Sequence, residues 1–190
     1  MTGLTFMALE LSAKRIELLR ELVPRGAKLA LLSNPEHAGE LAEYRVTEEA
    51  AKRVGFGMTR YLVRTPADLT KAYGEIRAAR PDAMIVFPDS LTLQRRRDIA
   101  EFAAAARIPA MYGWTDFAEV GGLVSYGARL DDHFKTLARF VDKIVKGGDA
   151  STIPIEQIGQ VGLTINMVAV RALGMTVPQI LLARASRVIE

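Results

Sequence analysis

The chain has 190 residues, of which 49% are hydrophobic and 25% charged, with a formal net charge of +3. That is the composition of a globular protein with a substantial core, and its scattered positive charge leaves no footprint for nucleic acid. With no cysteine there is no disulfide framework, thiolate nucleophile or zinc knuckle, and no run approaches the roughly 18 apolar residues of a membrane span.

Short apolar runs alternate with amphipathic stretches, the pattern of βα units around a parallel sheet. The first helix is expected over Ser12 to Leu22, with Ile16, Leu18, Leu19 and Leu22 on its apolar face and Pro24 to Gly26 ending it. Lys28 to Ser33 reads as a strand buried on both faces. A helix from about Gly39 to Val54 and a strand from Gly57 to Val63 follow. Thr65-Pro66-Ala67-Asp68 opens the next helix: Thr caps, Pro suits the first turn, and Asp meets the positive end of the dipole. That helix stops at Arg80-Pro81.

Ala83 to Phe87 is the third strand, and one helix is expected from Leu91 to Ala106. Ile108 to Tyr112 is the fourth strand, Asp116 to Glu119 a short helix, and Leu123 to Tyr126 the fifth strand. The rhythm then changes. Leu130 to Lys146 is a helix ended by Gly147-Gly148, while Ile153 to Gln157 and Val161 to Ile165 read as a pair of extended segments. Asn166 is placed to cap a helix over Met167 to Leu173 that Gly174 stops. The tail from Pro178 has no assigned structure.

Catalytic signatures are missing: no Walker-type loop, no G-x-G-x-x-G after the first strand and no G-x-S-x-G elbow. His37 and His133 are far apart in polar settings and read as surface residues. What remains is positional, because ligands of open parallel sheets bind beyond the carboxyl ends of the strands. Those ends carry Ser33-Asn34-Pro35, Arg64-Thr65, Pro88-Asp89-Ser90 and Tyr112-Gly113-Trp114-Thr115. The candidate ligand-binding set is therefore Asn34, Pro35, Thr65, Asp89, Ser90, Tyr112, Gly113, Trp114 and Thr115, with Tyr126 at the end of the fifth strand. Aromatic residues there suit a pocket for a small, partly apolar solute. A plainer account stands beside this one, with Asn34, Asp89 and Ser90 as helix caps and Trp114 as core under Gly121-Gly122. No catalytic residue, metal site or cofactor is assigned.

Several stretches resemble a known family. They are Thr2-Gly-Leu-Thr-Phe6, Lys14-Arg-Ile-Glu-Leu-Leu19 with Pro24, Leu31-Leu-Ser-Asn-Pro35, Ile108-Pro-Ala-Met-Tyr112 and Glu119-Val-Gly-Gly-Leu-Val-Ser-Tyr-Gly127. Later come Val141-Asp-Lys-Ile-Val-Lys-Gly147, Ile153-Pro-Ile-Glu-Gln157, Ile165-Asn166, Ala172-Leu-Gly174, Leu182-Ala-Arg-Ala185 and Val188-Ile-Glu190. In order and spacing they resemble the ABC-transporter substrate-binding proteins of the group that includes tryptophan and tyrosine importers.

The resemblance implies a type I periplasmic-binding-protein fold. The expected architecture is α/β: one lobe with a parallel, doubly wound sheet, plus extra C-terminal helices and extended segments. It divides the chain into a ligand-closing lobe, 1–127, and a crossover helix with return segments, 128–190, that contact a first lobe. Such proteins carry a signal sequence and that first lobe upstream, and Met1-Thr-Gly-Leu-Thr-Phe-Met has neither the charged nor the apolar region of a signal peptide. The expectation is a first-lobe-less chain of a periplasmic parent.

Its implied function is non-enzymatic recognition of a small solute, an amino acid or similar carboxylate, for a membrane ABC permease. Asp89 then meets a ligand ammonium, Tyr112 and Trp114 form an aromatic wall, and Asn34, Ser90 and Thr115 give hydrogen bonds. The competing readings are the ligand-sensing effector domain of a regulator and a small α/β enzyme. Leu130, Phe134, Leu137, Val141, Ile144 and Val145 recur at spacings of three and four, one apolar stripe whose usual cover is the first lobe. A homodimer that buries this stripe, or exchanges the segment after Gly127, is expected.

Overall fold

The computed structural model describes residues 2–5, 7–157 and 161–190; Phe6, in the first of the resembling stretches, lies outside them. In chain order the elements are β1 (Leu4–Thr5), α1 (Ala8–Leu22), β2 (Lys28–Ser33), α2 (Glu40–Arg53), β3 (Gly57–Leu62), α3 (Pro66–Ala79) and β4 (Ala83–Val86). There follow α4 (Ser90–Gln94), α5 (Arg96–Ala105), β5 (Ala110–Tyr112), α6 (Asp116–Glu119), β6 (Val124–Ala128) and α7 (Leu130–Val145). The chain closes with β7 (Glu156–Gln157), β8 (Val161–Asn166), α8 (Met167–Leu173), α9 (Gln179–Arg184) and β9 (Arg187–Ile189).

Seven strands form one sheet in the order β3-β2-β4-β5-β6-β8-β9. Strands β2 to β6 are parallel, and β8 joins β6 antiparallel. The two-residue side-chain period then builds two cores. Leu29, Leu31, Ile85, Met111 and Ile165 pack with Ile16 and Leu19 of α1 on one face. Ala30, Leu32, Met84, Val86 and Tyr112 pack with Ile76 of α3 and Ile99 of α5 on the other. Each large apolar side chain so buried contributes about 1.5–3 kcal/mol. After β2 the chain crosses to β3 on one side and then to β4 on the other, so the sheet reverses its winding between β2 and β4.

Thr65 caps α3 as expected, accepting from Asp68 N at 3.2 Å while the Asp68 carboxylate takes Thr65 N at 2.9 Å. Asn166 likewise caps α8 through Ala169 N at 3.1 Å, and Gly174 ends it at φ +67°. Two expectations need correction. The first helix starts at Ala8, one turn early: Ser12 lies inside it, its Oγ donating back to the Ala8 carbonyl at 2.8 Å instead of capping. The single helix of 91–106 is two, broken at Arg95, whose ψ of 17° is not helical. Both extended segments expected near 153–165 are present, β7 pairing with β1 and β8 with β6. The tail is ordered into α9 and β9, the latter beside β8.

The boundary expected after Gly127 falls inside β6, and β8 carries the same sheet onward. Helix α7 buries only Phe140. Its stripe stays open, with Phe134 58%, Val141 59% and Val145 80% exposed. No helix among the described residues is long and apolar enough to cross a membrane.

Candidate functional site

A cleft of about 410 Å³ opens at the carboxyl ends of the strands, beside the point where the winding reverses. Ala8, Leu11 and Arg15 of α1 form one wall; His37, Ala38, Gly39, Ala42 and Glu43 form the next. Pro88 after β4, Gly113 and Trp114 after β5, and Ala128 at the end of β6 complete it. Gly113 permits the close approach of two of these loops, since a β-carbon there would stand 2.6 Å from Pro88 Cδ. Gly39 turns the chain into α2 at φ +88°, a conformation that glycine adopts without penalty.

A chain of polar groups crosses the cleft. Asn34 Nδ2 donates to Asp89 Oδ1 at 3.3 Å, and His37 Nδ1 lies 3.9 Å from Asp89 Oδ2. His37 Nε2 lies 3.9 Å from Glu43 Oε1, and Ser12 Oγ is 3.2 Å from Glu43 Oε2. Burial pushes the Glu43 carboxyl above its ordinary range, against the pull of Arg15, His37 and Ser12. Arg15, 2% exposed, donates from Nε to the Tyr126 carbonyl at 2.8 Å. Burial brings its guanidinium down to about 10, and Glu43 holds it against that fall. It therefore remains a cation at neutral pH.

Of the residues expected at the rim, Gly113 and Trp114 line the cleft; Asn34 and Asp89 do not, but are joined to each other beside the lining His37. Asp89 also caps α4, accepting from Leu91 N at 2.8 Å, as the plainer account of this residue expects. Tyr112 is instead wholly buried on the α3 and α5 side of the sheet, stacked on Phe117 at 4.3 Å. The aromatic wall is reduced to Trp114. Thr65 is an exposed cap of α3, Ser90 is the exposed first residue of α4, and Pro35 is half-buried outside the lining. Thr115 is buried 3.5 Å from the Ala128 carbonyl, and Tyr126 contributes its carbonyl to Arg15 while its ring packs on the α1-side core.

Sequence reasoning missed Ser12, Arg15 and Glu43; His37 is exposed, as expected, and also lines the cleft. A signal was present. Ser12, Arg15 and Leu19 follow helical spacing beside Ile16, and Glu43 and Thr47 do so with Ala50, so polar residues interrupt the two buried stripes.

A family model described as ABC transporter substrate binding protein matches residues 1–189. No curated protein matches the chain in sequence. Among solved structures, a conserved domain protein from Vibrio cholerae is similar with a TM-score of 0.87 at 22% identity, over 98% of this chain and 62% of that one. An ABC domain from Streptococcus pneumonia in complex with L-Trp is similar with a TM-score of 0.87 at 19% identity, over 99% and 64%. A ligand-free, open substrate-binding protein with adhesive properties from Clostridium difficile gives 0.67 at 20%, over 93% and 59%. The chain thus spans less than two thirds of the length of each. At these identities the likeness is one of fold, whereas the family model covers nearly the whole sequence: the chain belongs to the ABC transporter substrate binding protein family.

Proposed function

We propose that this chain is the solute-recognition lobe of an ABC importer and that its solute is an amino acid or a similar small carboxylate. The observation that carries this reading is the cleft at the reversal of the sheet, lined by His37, Glu43 and Trp114, with Asp89 beside His37 and joined to Asn34. Open α/β sheets bind ligands at that place. In this reading Asp89 meets the solute's ammonium, Asn34 orients Asp89, and Trp114 covers the apolar part of the solute. The L-Trp held by the Streptococcus relative supports the amino-acid class.

The lobe works without chemistry of its own, outside the cytoplasm, and a membrane permease reads the solute-loaded form. A second lobe closes over the cleft by hinge motion, meeting the open face of α7 and the small β1–β7 sheet. Trp114 is the only tryptophan, so its fluorescence reports on the cleft directly. Titration with the common amino acids and small carboxylates is expected to shift that emission for one chemical group of solutes, and the shift is expected to grow when the second lobe is present. If emission and calorimetric heat stay flat for every solute in both forms, the proposal is wrong.

A further inference from the structure

The floor of the cleft holds a charge whose hydrogen-bonding capacity is only partly used. Arg15 spends its Nε–H on the Tyr126 carbonyl, while its NH1 group is buried and has no hydrogen-bond partner. That nitrogen is buried, so within the protein its hydrogens lack the acceptor that a buried guanidinium needs. The nearest opposite charge is Glu43, which attracts Arg15 without forming an ion pair with it. The apolar lining beside them, Ala8, Leu11 and Ala128, offers no side-chain acceptor, and Ser12 and His37 stand against Glu43.

A folded chain tolerates such an arrangement where a bound group completes it. We infer that Arg15 receives the solute's carboxylate and that Glu43, with Asp89 across His37, faces its ammonium, so that the cleft floor takes the zwitterionic head group of an α-amino acid. This rests on the solute-binding reading above and assigns the two residues that fix the solute's class. The guanidinium is already oriented by the Tyr126 carbonyl, to which its Nε donates at 2.8 Å. Its planar fork suits a carboxylate in two-point contact, which a lysine in the same place does not reproduce. An acceptor from the solute relieves the unpaired NH1, and the solute's ammonium offsets the carboxylate that burial disfavours on Glu43. Each charge of the head group thereby corrects a deficiency of the empty cleft.

The test uses the full chain labelled with nitrogen-15, following the Arg15 Nε–H and the Trp114 indole signals while solutes are added. An L-amino acid that binds is compared with its primary amide and with the amine lacking the carboxyl group. Both analogues are expected to bind at least tenfold more weakly, and only the carboxylate-bearing solute is expected to move the Arg15 signal strongly. Arg15→Lys is expected to lose about tenfold in affinity and Arg15→Met more. If loss of the Tyr126 contact prevents these variants from folding, the analogue series on the unaltered chain still decides the matter. Equal binding of acid and amide overturns the role of Arg15 while leaving the cleft reading intact. A Trp114 signal indifferent to every amino acid, sugar and carboxylate overturns the cleft reading and this inference with it.

Discussion

A β-carbon on Gly127 would stand 1.9 Å from the carbonyl oxygen of Gly113, so β6 and the loop after β5 meet at a separation that only glycine allows. The contact joins two walls of the cleft and sets the backbone beside the Tyr126 carbonyl that holds Arg15. Gly127→Ala is expected to cost about 3 kcal/mol, the upper range for overpacking, and to lower the melting temperature by roughly 6–12 °C. Gly74 is the contrast: it sits exposed within α3 with nothing within 4 Å of an added β-carbon. Gly74→Ala is expected to stabilise by about 0.5–1 kcal/mol. Thermal melts followed by circular dichroism check both, and a Gly127→Ala melt matching the parent's would refute the close contact.

Asp89 does two jobs that substitution can separate. Asn in its place keeps an oxygen for Leu91 N and so preserves the α4 cap, but loses the charge. Asp89→Asn is expected to melt like the parent while binding an amino acid about 1.5–3 kcal/mol more weakly, on the order of 10- to 150-fold. Asp89→Ala is expected to lose in addition about 1 kcal/mol of stability with the cap. Calorimetric titration decides between roles: unchanged binding by Asp89→Asn leaves the residue a cap alone.

Glu43 makes stability depend on pH in a defined direction. Its folded-state pKa is raised by burial, so between the ordinary carboxyl range and that raised value the folded chain holds a proton that the unfolded chain has released. Its contribution to stability therefore falls as pH rises through that window, and the cost of burying the carboxylate is fully present above it. Gln mimics the protonated form at every pH. Glu43→Gln is expected to melt higher than the parent at neutral pH, with the difference shrinking as the solution is acidified toward the ordinary carboxyl range. A difference that does not vary with pH would contradict the assignment.

The open stripe of α7 predicts self-association when nothing else covers it. Phe134, Val141 and Val145 lie on one face at 58%, 59% and 80% exposure, an apolar surface that soluble monomers seldom leave bare. A two-fold dimer formed through this helix is the expected state of the isolated chain. Val141→Glu with Phe134→Ser is expected to return it to a folded monomer whose melting point no longer varies with protein concentration, because neither side chain supports the core. Light scattering at micromolar concentration reads the outcome, and a monomeric parent that fails to bind a hydrophobic dye would dispose of the idea.

The alternation of buried strands and amphipathic helices, the cap at Thr65, the cap at Asn166 and the stop at Gly174 were all legible in the sequence. Each depends on residues within one or two turns of each other, where the helical and strand periods and cap chemistry act directly. The rim after the strands was legible too, because strand ends of a parallel sheet share one side. Which rim residues turn inward was not. The two-residue period of β5 sends Met111 to the α1-side core and Tyr112 to the opposite one, and the sequence does not say which face borders the cleft. The antiparallel entry of β8, the β1–β7 pairing and the open face of α7 likewise depend on the path of the whole chain. So do the contacts that make the site: Arg15 meets the Tyr126 carbonyl across 111 residues and Asn34 meets Asp89 across 55. Local periodicity marked Ser12, Arg15 and Glu43 only as polar residues on buried stripes. Tertiary packing decided that they share one cleft, because it alone determines which groups lose water together and therefore which charges must find one another.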